Sequence, residues 1–293
     1  MKDNMHQSVL LQEVIQAFQE IMQTAPQPIL IDCTLGLGGH TLALLETYPH
    51  LHIIGIDQDL EAKEQALEKL APYGDRFNFM HGNFAALLPS LLKNPSLCIK
   101  GVLADLGVSS WQLDSPHRGF GFHSKQLDMR MDTAQSLDAF KVVNTYSLYH
   151  LEQILQAGEV REYKKIASLI VNRRHKQPFE SAQDLADFLA KHAHRGKLHP
   201  ATLVFQAIRM EVNSEMANLH TLLECAKNLK EAVLAVISFH SLEDRQVKHA
   251  FREYAKSLGV CATKKPITPS APELNSNPRA RSAKMRIFHF QGF

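Results

Sequence analysis

Apolar and polar positions alternate between two periods along the first hundred residues. Ile29-Leu30-Ile31 is a short apolar run that enters a cluster of glycines, Gly36-Leu37-Gly38-Gly39-His40. Ile53-Ile54-Gly55-Ile56 is a second run and ends in Asp57. Residues 76 to 81 alternate as a half-buried strand does, and the run from Ile99 to Leu106 carries Asp105 near its carboxyl end. Between these runs the period changes to helical: Leu60, Ala66, Leu67 and Leu70 share one side of a segment whose other sides hold Glu61, Lys63, Glu64, Glu68 and Lys69. A further helix is predicted near Phe84 to Leu92. Strand and helix in strict alternation predict a doubly wound α/β sheet with parallel strands.

The next convincing strand, Ala232 to Phe239, comes more than a hundred residues later. The intervening chain has another character. Leu113 to Asp138 is rich in Gly, Asp, Ser and Arg, and residues 147 to 193 repeat apolar side chains at helical spacing. This predicts a sheet domain made of residues 1–112 and 205–293, interrupted by a helical domain at 113–204. Such insertions leave from loops at the carboxyl edge of a sheet, where ligands also bind. The insert is therefore expected to cover a substrate. Beyond Asp244 a helix is predicted at 245–257, and Gly259 to Thr263 is expected to pair with a final strand at 283–290 as an antiparallel hairpin.

Charge and cysteine usage narrow the classes. The net charge is only +2, but residues 245–293 hold ten Lys or Arg against two Glu, and residues 161–199 hold nine against four acids. Local excesses of this kind suit a phosphate-bearing partner. Cys33, Cys98, Cys225 and Cys261 form no metal-binding or disulfide spacing, so no metal site is expected. The opening Met1 to His6 and the brief apolar run at Val9 to Leu11 predict no secretory signal, and no stretch is long enough to span a membrane. A cytoplasmic protein is expected.

The glycine cluster is the first candidate site. Glycines at the end of a parallel strand let the backbone approach a ligand, and an acid about 20 residues on can take ribose hydroxyls. Here Gly38, Gly39 and Asp57 fit that pattern. The order Gly36-x-Gly38-Gly39 lacks the third glycine of the dinucleotide fingerprint, which places S-adenosylmethionine first and NAD second. Asp105, ending its strand, suits the amino-acid part of a cofactor or a substrate amine; a loop-bracing aspartate satisfies the same pattern. Arg118-Gly119-Phe120 and Leu127-Asp128-Met129-Arg130-Met131-Asp132 set charges beside large hydrophobes, which suits either substrate contact or a loop held by Arg to Asp pairs. His240 lies between Ser238 and Ser241, but the flanking glycines of a serine nucleophile elbow are missing. Ser241 with Asp244 reads as a helix cap.

These blocks, with His199-Pro200-Ala201-Thr202, Phe205-Gln206-Ala207, Val212-Asn213-Ser214-Glu215 and Asn277 to Ser282, resemble the bacterial 16S ribosomal RNA cytosine-N4 methyltransferase family, in order and from about Ser8 to the last strand. The resemblance implies a class I methyltransferase (Rossmann-like) sheet with a helical insert. It also implies methyl transfer from S-adenosylmethionine to N4 of a cytidine in the decoding region of 16S ribosomal RNA, with the RNA or the small ribosomal subunit as partner. By the same similarity Gly38, Gly39, His40, Asp57, Phe84, Asp105 and Gln112 contact the cofactor; Phe84 and Gln112 come from the resemblance alone. Asp105 is expected to accept hydrogen bonds from the reacting amine, with His240 and Ser241 lining the pocket. Arg118, Phe120, Asp128, Arg130 and Asp132 are expected on the substrate side. Trp111, Phe120, Phe122 or Phe239 would take the base's face, and Arg173, Arg174, Lys176, Arg195, Lys197 and the basic tail would take phosphates. The sequence departs from the family's pattern at Asn83, at Leu203 and at Asn228 to Glu231, where Pro, Arg and a Pro-Gly-Gly turn are usual. An NAD-linked oxidoreductase and a non-catalytic binding module remain as rivals.

Overall fold

The computed structural model describes residues 8–24, 26–192 and 199–292. The expectations for Met1 to His6 and for Arg195 and Lys197 therefore lie outside the described residues. Two compact units are present: one runs up to Gly107 and resumes at Ala217, and the other is Val108–Met216.

The first unit is built on seven strands: β1 Ile29–Asp32, β2 His52–Asp57, β3 Phe77–His81, β4 Ile99–Asp105, β5 Ala232–Ser238, β6 Gly259–Cys261 and β7 Lys284–Phe290. Their order across the sheet is β3-β2-β1-β4-β5-β7-β6. β1 to β5 run parallel, while β7 is antiparallel to β5 and to β6. The parallel strands are covered on both faces, which is why they are apolar runs. Period-2 alternation sorts them: Leu30, Leu103, Val233, Ala235 and Ile237 enter one core, and Ile31, Val102, Ala104, Leu234 and Val236 enter the other. The predicted strands and the terminal hairpin are present. Reversal of chain order after β3-β2-β1 puts the topological switch between β1 and β4, and ligands bind at the carboxyl ends of the strands there. Among the described residues no helix is long and apolar enough to cross a membrane.

The second unit is wider than the expected 113–204, because the helix Thr202–Val212 gives Val204, Phe205, Ala207, Ile208 and Val212 to the helical core. At the other end, Ser109 caps the helix Ser110–Asp114. Leu203, where the family carries Arg, is half-buried against this same core.

Charges that the sequence assigned to a surface turn inward in this unit. Arg173 forms two 2.7 Å bonds to Asp184 and lies 4.2 Å over the Phe179 ring. Arg174 donates to the Val143 and Tyr146 carbonyls. Both ends of these contacts belong to the helical unit, so the two arginines tie its helices together instead of presenting charge to a phosphate. A fork of donors aimed at carbonyls or a carboxylate is a fixed geometry that a solvated cation does not need.

The loop 115–138 is held in the same manner. Arg118 is 2% exposed and donates to the carbonyls of Arg130 and Met131, at 2.9 and 3.1 Å. Its guanidinium faces the rings of Trp111 and Phe120, at 5.6 and 5.9 Å. Arg130 makes a two-pronged bond to Asp128 and reaches the carbonyls of Thr133 and Gln135. Asn213 closes the far side, taking the Met131 N–H and donating to the Met129 carbonyl, each at 2.8 Å. Phe120, Leu127 and Met129 meanwhile fill the core. The mixture of charge and bulk in this stretch is thus a loop architecture in which Arg118, Asp128 and Arg130 are used internally.

Candidate active site

Strands β1, β2 and β4 each end in an aspartate: Asp32, Asp57 and Asp105. After Asp32 the chain turns through Gly36 and Gly38, whose φ angles are +52° and +74°, into the helix Gly39–Thr47. Residues with a Cβ rarely hold that conformation. At Gly39 the limit is space, since a Cβ there would lie 2.1 Å from Ser8 Oγ.

Each aspartate is fixed by the turn it faces. Asp32 accepts from the Thr34 N–H and from the Thr41 hydroxyl, at 3.2 and 2.7 Å. Asp57 accepts from the Gly36 N–H at 2.6 Å and from the Asp59 N–H at 2.8 Å. Asp57 is therefore the brace of the glycine turn, with lone pairs left over for hydroxyl donors. Asp105 differs from both: its N–H is bonded to Thr34 Oγ1, but its buried Oδ1 has no hydrogen-bond partner among the described residues. Its Oδ2 faces His40 Nδ1 at 3.8 Å. Burial pushes all three carboxyls up to about 6. At Asp105 His40 opposes that rise, while Asp32 and Glu243 add to it.

His40 is buried in the first turn of its helix, and its Nε2 lies 2.9 Å from the Val9 carbonyl. That bond leaves Nδ1 toward Asp105. Leu10, next to Val9, donates its N–H to Glu273 Oε1 at 2.7 Å. Residues 8–10 are thus pinned against the glycine turn from two sides, a connection that no pattern in the sequence announces. On β2's side, Asn83 caps the helix Phe84–Lys93 through the Ala85 N–H and also donates to Gln58 Oε1. This departure from the family's Pro is compatible with a helix start, and Phe84 follows as its first residue.

The end of β5 departs from expectation. The helix begins at Ser241, and its cap is His240 with Glu243, not Ser241 with Asp244. Glu243 is buried, takes the Phe239 N–H at 2.9 Å and lies 3.2 Å from His240 Nε2. Asp244 instead pairs with Arg286 and Lys284 on β7, at 2.7 and 3.4 Å. The register Asp105 to Ile237 sets Asp105 and His240 at neighbouring strand ends. Ser241 is exposed at the start of its helix. Asp32 and Glu243 were missed by sequence reading. An acid closing each of three apolar strands was a signal for Asp32; a histidine in place of the usual Ser, Thr, Asp or Asn hid the cap that Glu243 completes.

The sequence-predicted residues of the helical unit have other observed duties. Gln112 is buried, and its Oε1 takes the Ser109 N–H in a capping box. Arg118 and Phe120 are buried in the unit, which removes Phe120 as an exposed platform for a base. Asp128 and Arg130 pair with each other. Asp132 is half-exposed and accepts from the Ala134 N–H.

The sheet order, the glycine turn and the row of strand-end acids define a class I methyltransferase with an inserted helical domain. The chain belongs to the MraW methylase family, whose model matches residues 3–291. It is 53% identical to the ribosomal RNA small subunit methyltransferase H of Helicobacter pylori strain HPAG1, over 99% of this chain and 98% of that protein. To the protein of the same name from Aliarcobacter butzleri it is 48% identical, over 97% and 98%. Among solved structures, an rRNA methylase from Streptococcus thermophilus aligns with a TM-score of 0.38 and 11% identity, over 94% of this chain and 95% of that one.

The cofactor is S-adenosylmethionine, and the donor set fits it. A sulfonium and an ammonium are cations, and the three clustered carboxyls, held near pH 6 by burial, gain from a positive neighbour. Asp57 has acceptor capacity for ribose hydroxyls beyond its two backbone bonds. A pH dependence follows. The unliganded carboxyls hold protons below about pH 6, so cofactor affinity is expected to rise with pH through about 6 and to level off above 7. The limit is about tenfold per pH unit for each proton released. Calorimetric titration in buffers of different ionisation enthalpy counts those protons. S-adenosylhomocysteine, which lacks the sulfonium charge, is expected to show the shallower dependence; equal slopes for the two would remove the charge argument.

Proposed function

We propose that this enzyme methylates the exocyclic N4 of a cytidine in the decoding region of 16S ribosomal RNA, acting in the cytoplasm on the RNA or on the small-subunit particle. The names of its relatives support a ribosomal substrate. The observation that carries the choice of atom is Asp105, a carboxylate at the switch point with a buried oxygen that no protein donor occupies. An amine whose lone pair is delocalised into a pyrimidine ring must be aligned, and its N–H groups must be accepted as the nitrogen becomes tetrahedral.

Bound S-adenosylmethionine supplies an electrophilic methyl on a positively charged sulfur. Asp57 braces the glycine turn and would take ribose hydroxyls, the turn at Gly38 and Gly39 would hold the cofactor at its backbone, and Phe84 would offer an apolar face. Asp105 would accept a hydrogen bond from one N4–H and so direct the nitrogen's developing lone pair at the methyl; as the N–C bond forms the S–C bond breaks, leaving the thioether, and N4 gives up one proton to this carboxylate or to solvent. His40 limits the motion of the carboxylate from the other side. His240, fixed by Glu243, and Ser241 line the pocket.

Methylation at ring carbon C5 calls for a thiolate that attacks C6. The described cysteines do not favour it. Cys33 is buried, and burial together with Asp32 pushes its thiol well above the ordinary value. Cys98 precedes β4, at the edge opposite Asp105, while Cys225 and Cys261 are raised by burial and lie in the helix Glu215–Ala226 and on the outermost strand.

Incubation with labelled S-adenosylmethionine and small-subunit particles, followed by nucleoside analysis, is expected to yield N4-methylcytidine. Failure to find it across free RNA, partial particles and full subunits overturns the reading, and 5-methylcytidine in its place overturns the choice of atom.

A further inference from the structure

The connection between β6 and β7, residues 262–283, carries Lys264, Lys265, Arg279 and Arg281 on its exposed surface against one acid, Glu273. That acid is engaged, through Oε1, by the Leu10 N–H. Lys264, Lys265 and Arg281 have no ion pair among the described residues, whereas Lys284 and Arg286, just beyond, share a pair with Asp244.

Position gives this charge its meaning. Met285 pairs with Ile237, Ile237 pairs with Asp105, and Ile267 of the connection adds one more rung by exchanging two backbone bonds with Met285, at 2.9 and 2.8 Å. One line across the sheet therefore runs from Asp105 to Ile267. At ~4.8 Å per strand spacing, Ile267 stands about 14 Å from Asp105, on the same edge. The connection is also stiff. Pro266, Pro269, Pro272 and Pro278 restrict it, Ser270 caps the short helix Ala271–Ser276, and a tight turn of helix follows at Pro278–Ser282. Ordered, uncompensated cations at a fixed distance from a reacting centre cost little entropy to engage an anion.

We propose that residues 262–283 form the docking surface for the RNA backbone, with Lys264, Lys265 and Arg281 contacting phosphates of nucleotides that flank the methylated base. This rests on the reading that the substrate is RNA. It narrows the phosphate contact expected of the basic tail to three residues at the sheet's own edge and drops Arg173 and Arg174, whose donors are used inside the helical unit. A protein partner of mixed surface charge is less suited to a row that lacks any free acid, since its own cations would meet like charge there.

The test uses the full-length enzyme, small-subunit particles and a short cytidine-containing oligoribonucleotide, with binding measured across a salt series and methyl transfer measured separately. The triple variant Lys264→Gln, Lys265→Gln, Arg281→Gln is expected to bind RNA roughly 10- to 100-fold more weakly near 0.1 M salt. Its log–log salt slope should be shallower by about 2, the sum of three phosphate contacts on a single strand. S-adenosylmethionine affinity should not change, and Lys264→Arg with Lys265→Arg should bind as the parent does. Arg173→Gln, in contrast, is expected to lower Tm and leave the salt slope alone. An unchanged slope in the triple variant overturns the proposal, as does a matched loss of cofactor affinity, or competition by an acidic polypeptide as effective as by RNA. If the parent transfers no methyl to any particle, the substrate reading fails on that measurement, while the docking surface is still decided by the slope.

Discussion

Asp105→Asn is expected to lose about 10²- to 10³-fold in kcat with cofactor saturating, the usual cost of removing one electrostatic partner of a transition state. The same variant is expected to be more stable than the parent at pH 7. Burial raises the Asp105 carboxyl from 3.8 to about 6, although its side chain keeps 25% of its surface open. The folded protein therefore binds more protons than the unfolded chain between about pH 4 and 6, so stability is greatest below that window and is lost as pH rises through it. An uncharged amide removes a penalty of at most about 3 kcal/mol at pH 7. Activity and stability would move in opposite directions. Initial rates across pH 5–8 together with thermal unfolding at pH 4.5 and pH 7 separate the cases. A normal kcat would sink the acceptor role, and a lower Tm at pH 7 would show that Asp105 braces the fold.

Arg118→Ala carries the largest expected effect on stability. Removal leaves the Arg130 and Met131 carbonyls without that donor and opens a space beside Trp111 and Phe120. A loss of about 3–5 kcal/mol is expected from unsatisfied acceptors and the cavity together. That corresponds to a drop in Tm of roughly 10 °C or more. Arg118→Lys should rescue little, because a compact ammonium lacks the planar guanidinium face that lies against the Trp111 and Phe120 rings. Trp111 is the sole tryptophan of the chain, so its fluorescence reports directly on this loop. If Arg118→Ala keeps its Tm and emission spectrum but loses affinity for RNA, the residue belongs to the substrate surface and the loop is framed by Arg130 and Asn213 alone.

The two variants mark how unevenly the molecule could be read beforehand. The strands of the parallel sheet were legible because burial on both faces demands continuous apolar runs, and a polar residue closing such a run can only lie at the sheet's edge. Asp57 and Asp105 were found by that logic. Asp32 obeys it equally and went unused. The arginines were hard to place for a physical reason: a guanidinium looks the same in sequence whether it faces water or a carbonyl, so Arg173 and Arg174 were read as phosphate contacts and Arg118 was left between two roles. Arg173, Arg174 and Arg118 all face inward, and their partners are 11 to 31 residues away. His240 was misread similarly, since an imidazole replaced the hydroxyl or carboxylate that normally announces a helix start.

Sequence by itself determined the class of fold, the cofactor edge and the family, since these rest on local periodicity, strand-end residues and ordered motifs. Tertiary structure alone decided that residues 8–10 lock onto His40, that Asp105 keeps a buried oxygen without a donor, and that the helical unit starts at Val108 and runs to Met216. It also separated the cations that hold the protein together from those left on the sheet edge. Hydrogen bonds between distant segments leave no period in the chain; the direction of a long charged side chain is set by the acceptors folding brings to it.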